Sequence, residues 1–479
     1  MLFLSALSLR ERAASGEASL PVASRVREPQ ALDRWIPFLM SKPLNSDPSS
    51  SLASERLMIL CTTTGYQTRA FMDAAHEMGL EAVLGSDRCH ILDDPWQDQA
   101  LALRFEDPEG AARQIVESAR REPLRGIVAI GDCTPPAAAR AAHWLNLPYH
   151  APTAADICRD KYRSRERLRA AGLNIPAFER FPLDRNPREI FESGGPSTGF
   201  PCVLKPLALS ASRGVIRANN PQEFIQSFER IRSLLRAPEV QVMRQGTSKH
   251  LQVESYIDGR EIAVEGVLER GAAKILAIFD KPDPLTGPYF EETIYVTPAQ
   301  LTEDIERRLR YDLARALRTL GLFHGPFHAE LRLNEQGVWP LEIAARSIGG
   351  LCSRSLRFSS PCLGEKISLE KLIVALAVGE SVKEAQREPA ASGVMMIPIE
   401  QEGIYEGVEG VEQARETPGI EDVLITAKPA QRVVPLPEGA SYLGFIFARG
   451  STPQFVEQAL REAHGRLRVR VSPVLPVIT

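Results

Sequence analysis

Two runs of the chain, HGPFHAELRL (324–333) and GVWPLEIAAR (337–346), flank the short segment NEQG (334–337). Alternation with a period of two on both sides of a glycine-bearing turn predicts an antiparallel hairpin. If the turn carries one extra residue at Gly337, as in a three-residue loop with a glycine bulge, opposed residues have numbers summing to 672. Glu330 then faces Glu342 directly. His328, Glu330, Arg332, Glu342, Ala344 and Arg346 share one face, and Leu331, Leu333, Trp339, Leu341 and Ile343 form the other, which is core.

Two carboxylates facing each other at about 5 Å repel, and the pair is destabilising by itself. One of them can hold a proton, or a hard cation can bridge both. Mg²⁺ suits the second remedy because it takes carboxylates together with substrate phosphates. The alternative is a solvated hairpin in which Arg332 and Arg346 neutralise the acids. The hairpin alone does not decide between them.

Around it the chain alternates strands and helices. RLMILCTTTG, LEAVLGSD and RGIVAIGD read as strands, and YQTRAFMDAAHEMG and PPAAARAAHWLNLP as helices, which implies a small parallel α/β domain over about 55–150. The first 54 residues lack a sustained period, contain the Pro/Ser-rich KPLNSDPSSSLASE, and read as a flexible extension. A helix is expected from about Tyr162 to Ala171, with Thr153 as a cap upstream. HLQVESYIDGREIAVEGVLERGAAKILAIFDKP (250–282) reads as a three-stranded meander turning at Asp258-Gly259 and Arg270-Gly271. A long helix follows, with Ile305, Leu309, Leu313 and Leu317 on one stripe. Residues 366–479 alternate strands and helices and are expected to form a separate α+β domain.

Lysine and arginine number 57 against 61 acidic residues, a net charge of −4. That balance offers no basic excess to neutralise phosphates, so a nucleic-acid partner is not expected. No apolar run is long enough to span a membrane, and no membrane partner is expected. The seven scattered cysteines form no CxxC pair. A reducing, cytoplasmic setting is expected rather than a disulfide framework.

Other segments carry chemistry only in combination. VLKP places Lys205 late in a strand, and LSASRG (209–214) then offers Ser210, Ser212 and Gly214 in a loop suited to phosphate oxygens, although GxxxxGK[ST] is absent. Lys161 opens a helix amid other basic residues, where a solvated charge run is the plain alternative. VESYIDGRE puts Glu254 and Tyr256 on one strand face, with Glu261 after the turn.

In this order — a lysine before a helix, a strand lysine with a Ser/Gly loop, ExYxxGxE, then HAEL…LEIxxR — the elements resemble the ATP-grasp superfamily over about 56–360. The resemblance implies an N-terminal parallel α/β domain (55–150), a two-lobed α+β ATP-grasp domain (151–365) and a C-terminal α+β domain (366–479). Lys161 and Lys205 would hold the phosphates of ATP, and Ser210 to Gly214 would form a lid. Glu254, Ser255, Tyr256 and Ile257 would meet adenine, and Glu261 the ribose. Glu330 and Glu342 would bind Mg²⁺ or Mn²⁺, and Arg346 would be catalytic, stabilising an acyl phosphate and the tetrahedral intermediate. Many members carry Asn where this chain has Ala344.

LEIAARSIGG, DKPDPLTGPYFEETIYVTP and the GVMMIPI…YLGFIFARG tail further resemble the bacterial L-amino-acid ligases. That implies a carboxylate–amine ligase joining amino acids, with release of ADP and phosphate. Tyr289, Glu291, Glu292, Gly349 and Gly350 are candidates for substrate contacts. Relatives are often dimers, so a homodimer is open. The rival readings are a carboxylase or purine-pathway ligase of the same fold, a small-molecule kinase, and an ATP-binding protein without turnover.

Overall fold

The computed structural model describes residues 55–62, 65–87, 100–207, 209–241 and 249–474. The expected N-terminal extension lies outside the described residues.

β1 (Arg56–Cys61), β2 (Glu81–Ser86), β3 (Leu101–Ala102) and β4 (Gly126–Ala129) form a parallel sheet in the order β3-β2-β1-β4. β4 and all of β1 beyond Arg56 are buried, as continuous apolar runs in a parallel sheet require. The helices Thr68–Glu77 and Pro135–Leu145 follow as expected, and a further helix, Pro108–Arg121, which the sequence reading did not name, lies between them.

The central lobe is a four-stranded antiparallel sheet: β5 (Phe178–Pro182), β6 (Cys202–Pro206), β7 (Ile216–Ala218) and β8 (His250–Ser255), in the order β5-β8-β6-β7. Helix Pro221–Arg236 buries Phe224, Phe228, Ile231 and Leu235 against it. The helix expected near 162–171 spans Lys161–Ala170, with Asp160 accepting from the N–H groups of Tyr162 and Arg163 at 3.0 and 3.1 Å. Thr153 is not a cap, because helix Pro152–Arg159 begins one residue before it.

The largest sheet has eight strands. β9 (Arg260–Glu269) lies between β10 (Ala272–Asp280) and β12 (Gly325–Asn334); β11 (Ile294–Thr297) and β13 (Gly337–Ala344) flank these. The expected three-stranded meander is corrected here. β8 pairs with β5 and β6, whereas β9 pairs with β10 and β12, so Asp258-Gly259 carries the chain from one sheet to the other. A Cβ on Gly259 would lie 2.3 Å from the carbonyl oxygen of Leu333, so only glycine lets the crossing pass this close.

The expected separateness of 366–479 also changes. Its strands Ala391–Ile397, Gly444–Gly450 and Ile420–Ile425 add to β11 in that order and complete the same sheet. Helix Leu369–Ala377 joins a core with β1, β4, Phe279 and Phe445. Helix Glu303–Leu320 buries Leu309, Leu313 and Leu317, but Ile305, in its first turn, stays 41% exposed. The six described cysteines are free, and among the described residues no helix is long and apolar enough to cross a membrane.

Candidate active site

The β12–β13 hairpin turns tightly. Asn334 pairs with Gly337, and the Asn334 side chain accepts from the N–H of Gln336 and of Gly337 and from Trp339 Nε1 at 2.9–3.2 Å. The expected bulge at Gly337 is absent. The register shifts further along, between Glu330 and Leu331, where Leu331 faces Pro340 and Glu330 faces Glu342. Pro340 has no N–H to give the ladder, and a bulge beside it removes that requirement. The extra residue is Leu341, whose carbonyl accepts from Arg165 Nη2 at 2.5 Å.

The consequence for facing is specific. Glu330–Glu342 and His328–Ala344 stand opposed as expected. Val338, not Trp339, joins Leu331 and Ile343 in the core, and Leu341 lines a cavity. A bulge next to Pro340 leaves the turn end of the hairpin one residue out of the expected phase.

That cavity, of about 320 Å³, lies among the parallel domain, the central lobe and the eight-stranded sheet, a size ordinary for a ligand site. Lys161, Lys205, Ser210, Ser212, Glu254, Ser255, Tyr256, Ile257, Glu261, Glu292, Glu330, Glu342, Arg346, Gly349 and Gly350 all line it. Gly214 and Tyr289 do not. Tyr289 packs on the central-lobe core, and its hydroxyl accepts from Arg230. Glu291 is also outside the lining, with burial and then Glu400 raising its carboxyl.

Charges in the cavity are paired. Lys161 Nζ lies 3.2 Å from Glu342 and donates to the carbonyl of Leu209 at 3.3 Å. Burial by itself would raise the Glu342 carboxyl, but Lys161 and Arg346 hold it below its ordinary range. Glu330 behaves oppositely: burial, reinforced by Glu342 and Glu261, keeps it raised despite Lys281. Arg346 Nε donates to Asp132 at 2.5 Å, and its Nη1 to the carbonyl of Ser347 at 2.8 Å. Desolvation pushes the half-buried Asp132 carboxyl up, but Arg346 and Lys161 hold it low.

Glu254 is 1% exposed and gripped by Arg165 at 2.7 Å and Lys205 at 2.6 Å. Burial pushes its carboxyl up, yet the two cations bring it down to about 2. Its carboxylate is therefore already taken, and it orients Lys205. Glu261 is taken likewise, by Lys281 at 2.9 Å and Arg332 at 3.0 Å. Arg332 and Arg217 both stack on the Tyr256 ring, at 5.0 and 4.1 Å.

Lys281 escaped the sequence reading. Its ammonium sits among Glu261, Glu292 and Glu330, at 2.9, 2.5 and 3.7 Å. Carboxylate oxygens of these three acids lie within 4.8 Å of one another, and the lysine offsets part of their charge. Glu292 is pushed up to about 7, by burial and then by Glu330, against the pull of Lys281. Asp132 was missed too. Its signal is its place just beyond the C-terminal end of β4, where parallel sheets bind ligands.

For Mg²⁺ the donor set fits. Glu330 and Glu342 stand opposed on the hairpin and bring hard oxygens to one wall of the cavity.

Sequence models bear on this arrangement. Residues 198–355 match the ATP-grasp domain and residues 72–149 the ATP-grasp N-terminal domain. The chain belongs to the ATP-grasp superfamily. Within this superfamily, residues 395–472 match the L-amino acid ligase C-terminal domain 2. An uncharacterised protein of Sinorhizobium fredii, y4rH, is 25% identical over 69% of this chain and 64% of its own length. The alanine–anticapsin ligase of Bacillus subtilis is 28% identical over 44% of this chain and 46% of its own. The chain thus spans about half to two thirds of these relatives. The crystal structure of the L-amino acid ligase from Bacillus licheniformis superposes with a TM-score of 0.69 at 24% identity, covering 87% of this chain and 98% of that one. That likeness is one of fold, and it covers most of the chain.

Proposed function

We propose that the chain is an ATP-dependent carboxylate–amine ligase that joins two amino acids through an acyl phosphate, releasing ADP and phosphate. ATP and a carboxylate repel, so their reaction requires converging positive charge. In this reading Lys161 and Lys205 hold the phosphates, Ser210, Ser212 and Gly214 belong to the covering loop, and Ser255 to Ile257 meet the adenine. Glu254 acts through Lys205, and Glu261 faces the ribose. Glu330 and Glu342 would hold Mg²⁺ or Mn²⁺, which supplies the dication that neutralises phosphate oxygens during transfer. Glu292, Gly349 and Gly350 line the amino-acid end. We keep 55–150, 151–365 and 366–479 as functional segments, although one sheet runs through the last two.

Arg346 carries the proposal. It lies in the same cavity as the opposed glutamates and the two lysines, partly buried and oriented by Asp132. Nucleotide binding alone does not need it, whereas a substrate carboxylate turning into an acyl phosphate does. The test is incubation with Mg·ATP and amino-acid mixtures, following ADP and product masses. The expectation is ADP matched by a condensed product. Absence of ADP above background with every pair refutes the proposal. Glu342→Ala is expected to abolish Mg²⁺-dependent ADP formation with the circular dichroism spectrum retained, and wild-type turnover in it removes Glu342 from the metal set.

A further inference from the structure

The turn Pro435–Gly439 reaches the central lobe and grips the loop over the cavity. The N–H of Gly214 donates to the carbonyl of Pro437 at 2.8 Å, and Arg213 Nε to the carbonyl of Glu438 at 2.7 Å. Arg230 clasps the Glu438 carboxylate with two bonds, Nε to Oε1 at 2.5 Å and Nη2 to Oε2 at 2.8 Å. At its other end the loop is tied to the cavity floor, because Lys161 donates to Leu209 and Ser210 bonds the Asp132 carboxylate. Between these anchors Ala211 and Ser212 both have φ of 54°. Side-chain-bearing residues keep this left-handed conformation only where the surroundings enforce it. Without these anchors nothing would enforce that conformation.

We propose that Glu438 is a positioning residue that latches residues 209–214 closed from the C-terminal segment and so keeps water out while an acyl phosphate awaits the amine. This rests on the ligase reading. The loss it prevents is hydrolysis: the oxygen of water bonds to the acyl carbon, the carbon–oxygen bond to phosphate breaks, and the carboxylic acid and inorganic phosphate depart without product. The Arg230 and Glu438 side chains are 44% and 36% exposed, so the latch is modest and reversible, as a lid that must open every turnover requires.

The experiment uses the full chain and compares wild type, Glu438→Gln and the charge-swapped Arg230→Glu/Glu438→Arg. Trypsin cutting after Arg213 reports loop opening with and without Mg·ADP, and moles of ADP per mole of ligated product report leakage. Glu438→Gln is expected to be cut about fivefold faster at Arg213 and to release more ADP per product, with both values moving back toward wild type in the swapped pair. An altered ADP-to-product ratio is not expected from a residue that merely stabilises the fold. Unchanged cutting in Glu438→Gln overturns the latch. Faster cutting with an unchanged ratio overturns its role in excluding water. If wild type makes no product with any pair, the ligase reading falls, and the cutting rates alone decide the latch.

Discussion

Glu254→Gln replaces a buried carboxylate by an amide of the same shape, and its cost follows from the structure. The carboxyl titrates near 2 when folded, against an ordinary 4.5. At 1.36 kcal/mol per pH unit that depression corresponds to about 3 kcal/mol of stability at pH 7. An independent route gives the same order. Arg165 is 3% exposed, and stripping one partner from a buried ion pair costs about 3–5 kcal/mol. The depressed carboxyl contributes in full above pH 4.5, and that contribution is lost as pH falls from 4.5 toward 2. The gap between wild type and variant must therefore be widest at neutral pH and close under acid. Urea unfolding followed by far-ultraviolet circular dichroism, at pH 7 and at steps down to pH 3, measures it from the midpoints and a common slope. Coincident midpoints at pH 7, or a gap that does not narrow below pH 4.5, refute the reasoning.

Glu292 has the opposite sign. Its carboxyl is raised to about 7, so it favours the folded state below pH 4.5 and loses that contribution as pH rises toward 7; Glu292→Gln should flatten the decline in thermal midpoint between pH 5 and pH 8, by about 3 kcal/mol at most. Gly126→Ala should cost about 1–3 kcal/mol in thermal unfolding, since its Cβ would lie 2.6 Å from the carbonyl oxygen of Ala377 at the end of a packed helix.

The opposition of Glu330 and Glu342 was readable because alternation on two short strands fixes facing once one pair is known. The bulge was placed at the wrong residue, yet any single extra residue between the turn and Glu342 gives that pair, so the error moved only Trp339, Val338 and Leu341. Lys161 and Lys205 were visible as lysines at element ends. Asp132 and Lys281 were not, since a partner for Arg346 lying 214 positions away is fixed by packing and by no local pattern. The same holds for Glu254, whose carboxylate looked free in VESY because Arg165 reaches it from a helix 89 residues earlier. The false meander had a local cause: Asp-Gly signals a reversal, and neighbouring sequence cannot say that the next strand enters another sheet.

The shared sheet has a consequence for how the chain emerges from the ribosome. β11 finds its second neighbour only in Ala391–Ile397, and the core under β1 is completed by Phe445 and Phe447. The first strands made therefore wait for almost the last. Until then β11 presents an open hydrogen-bonding edge, a template for the wrong neighbour. Shortened versions ending before residue 391 should precipitate rather than yield a smaller working enzyme, and a holding chaperone would have its use during that wait.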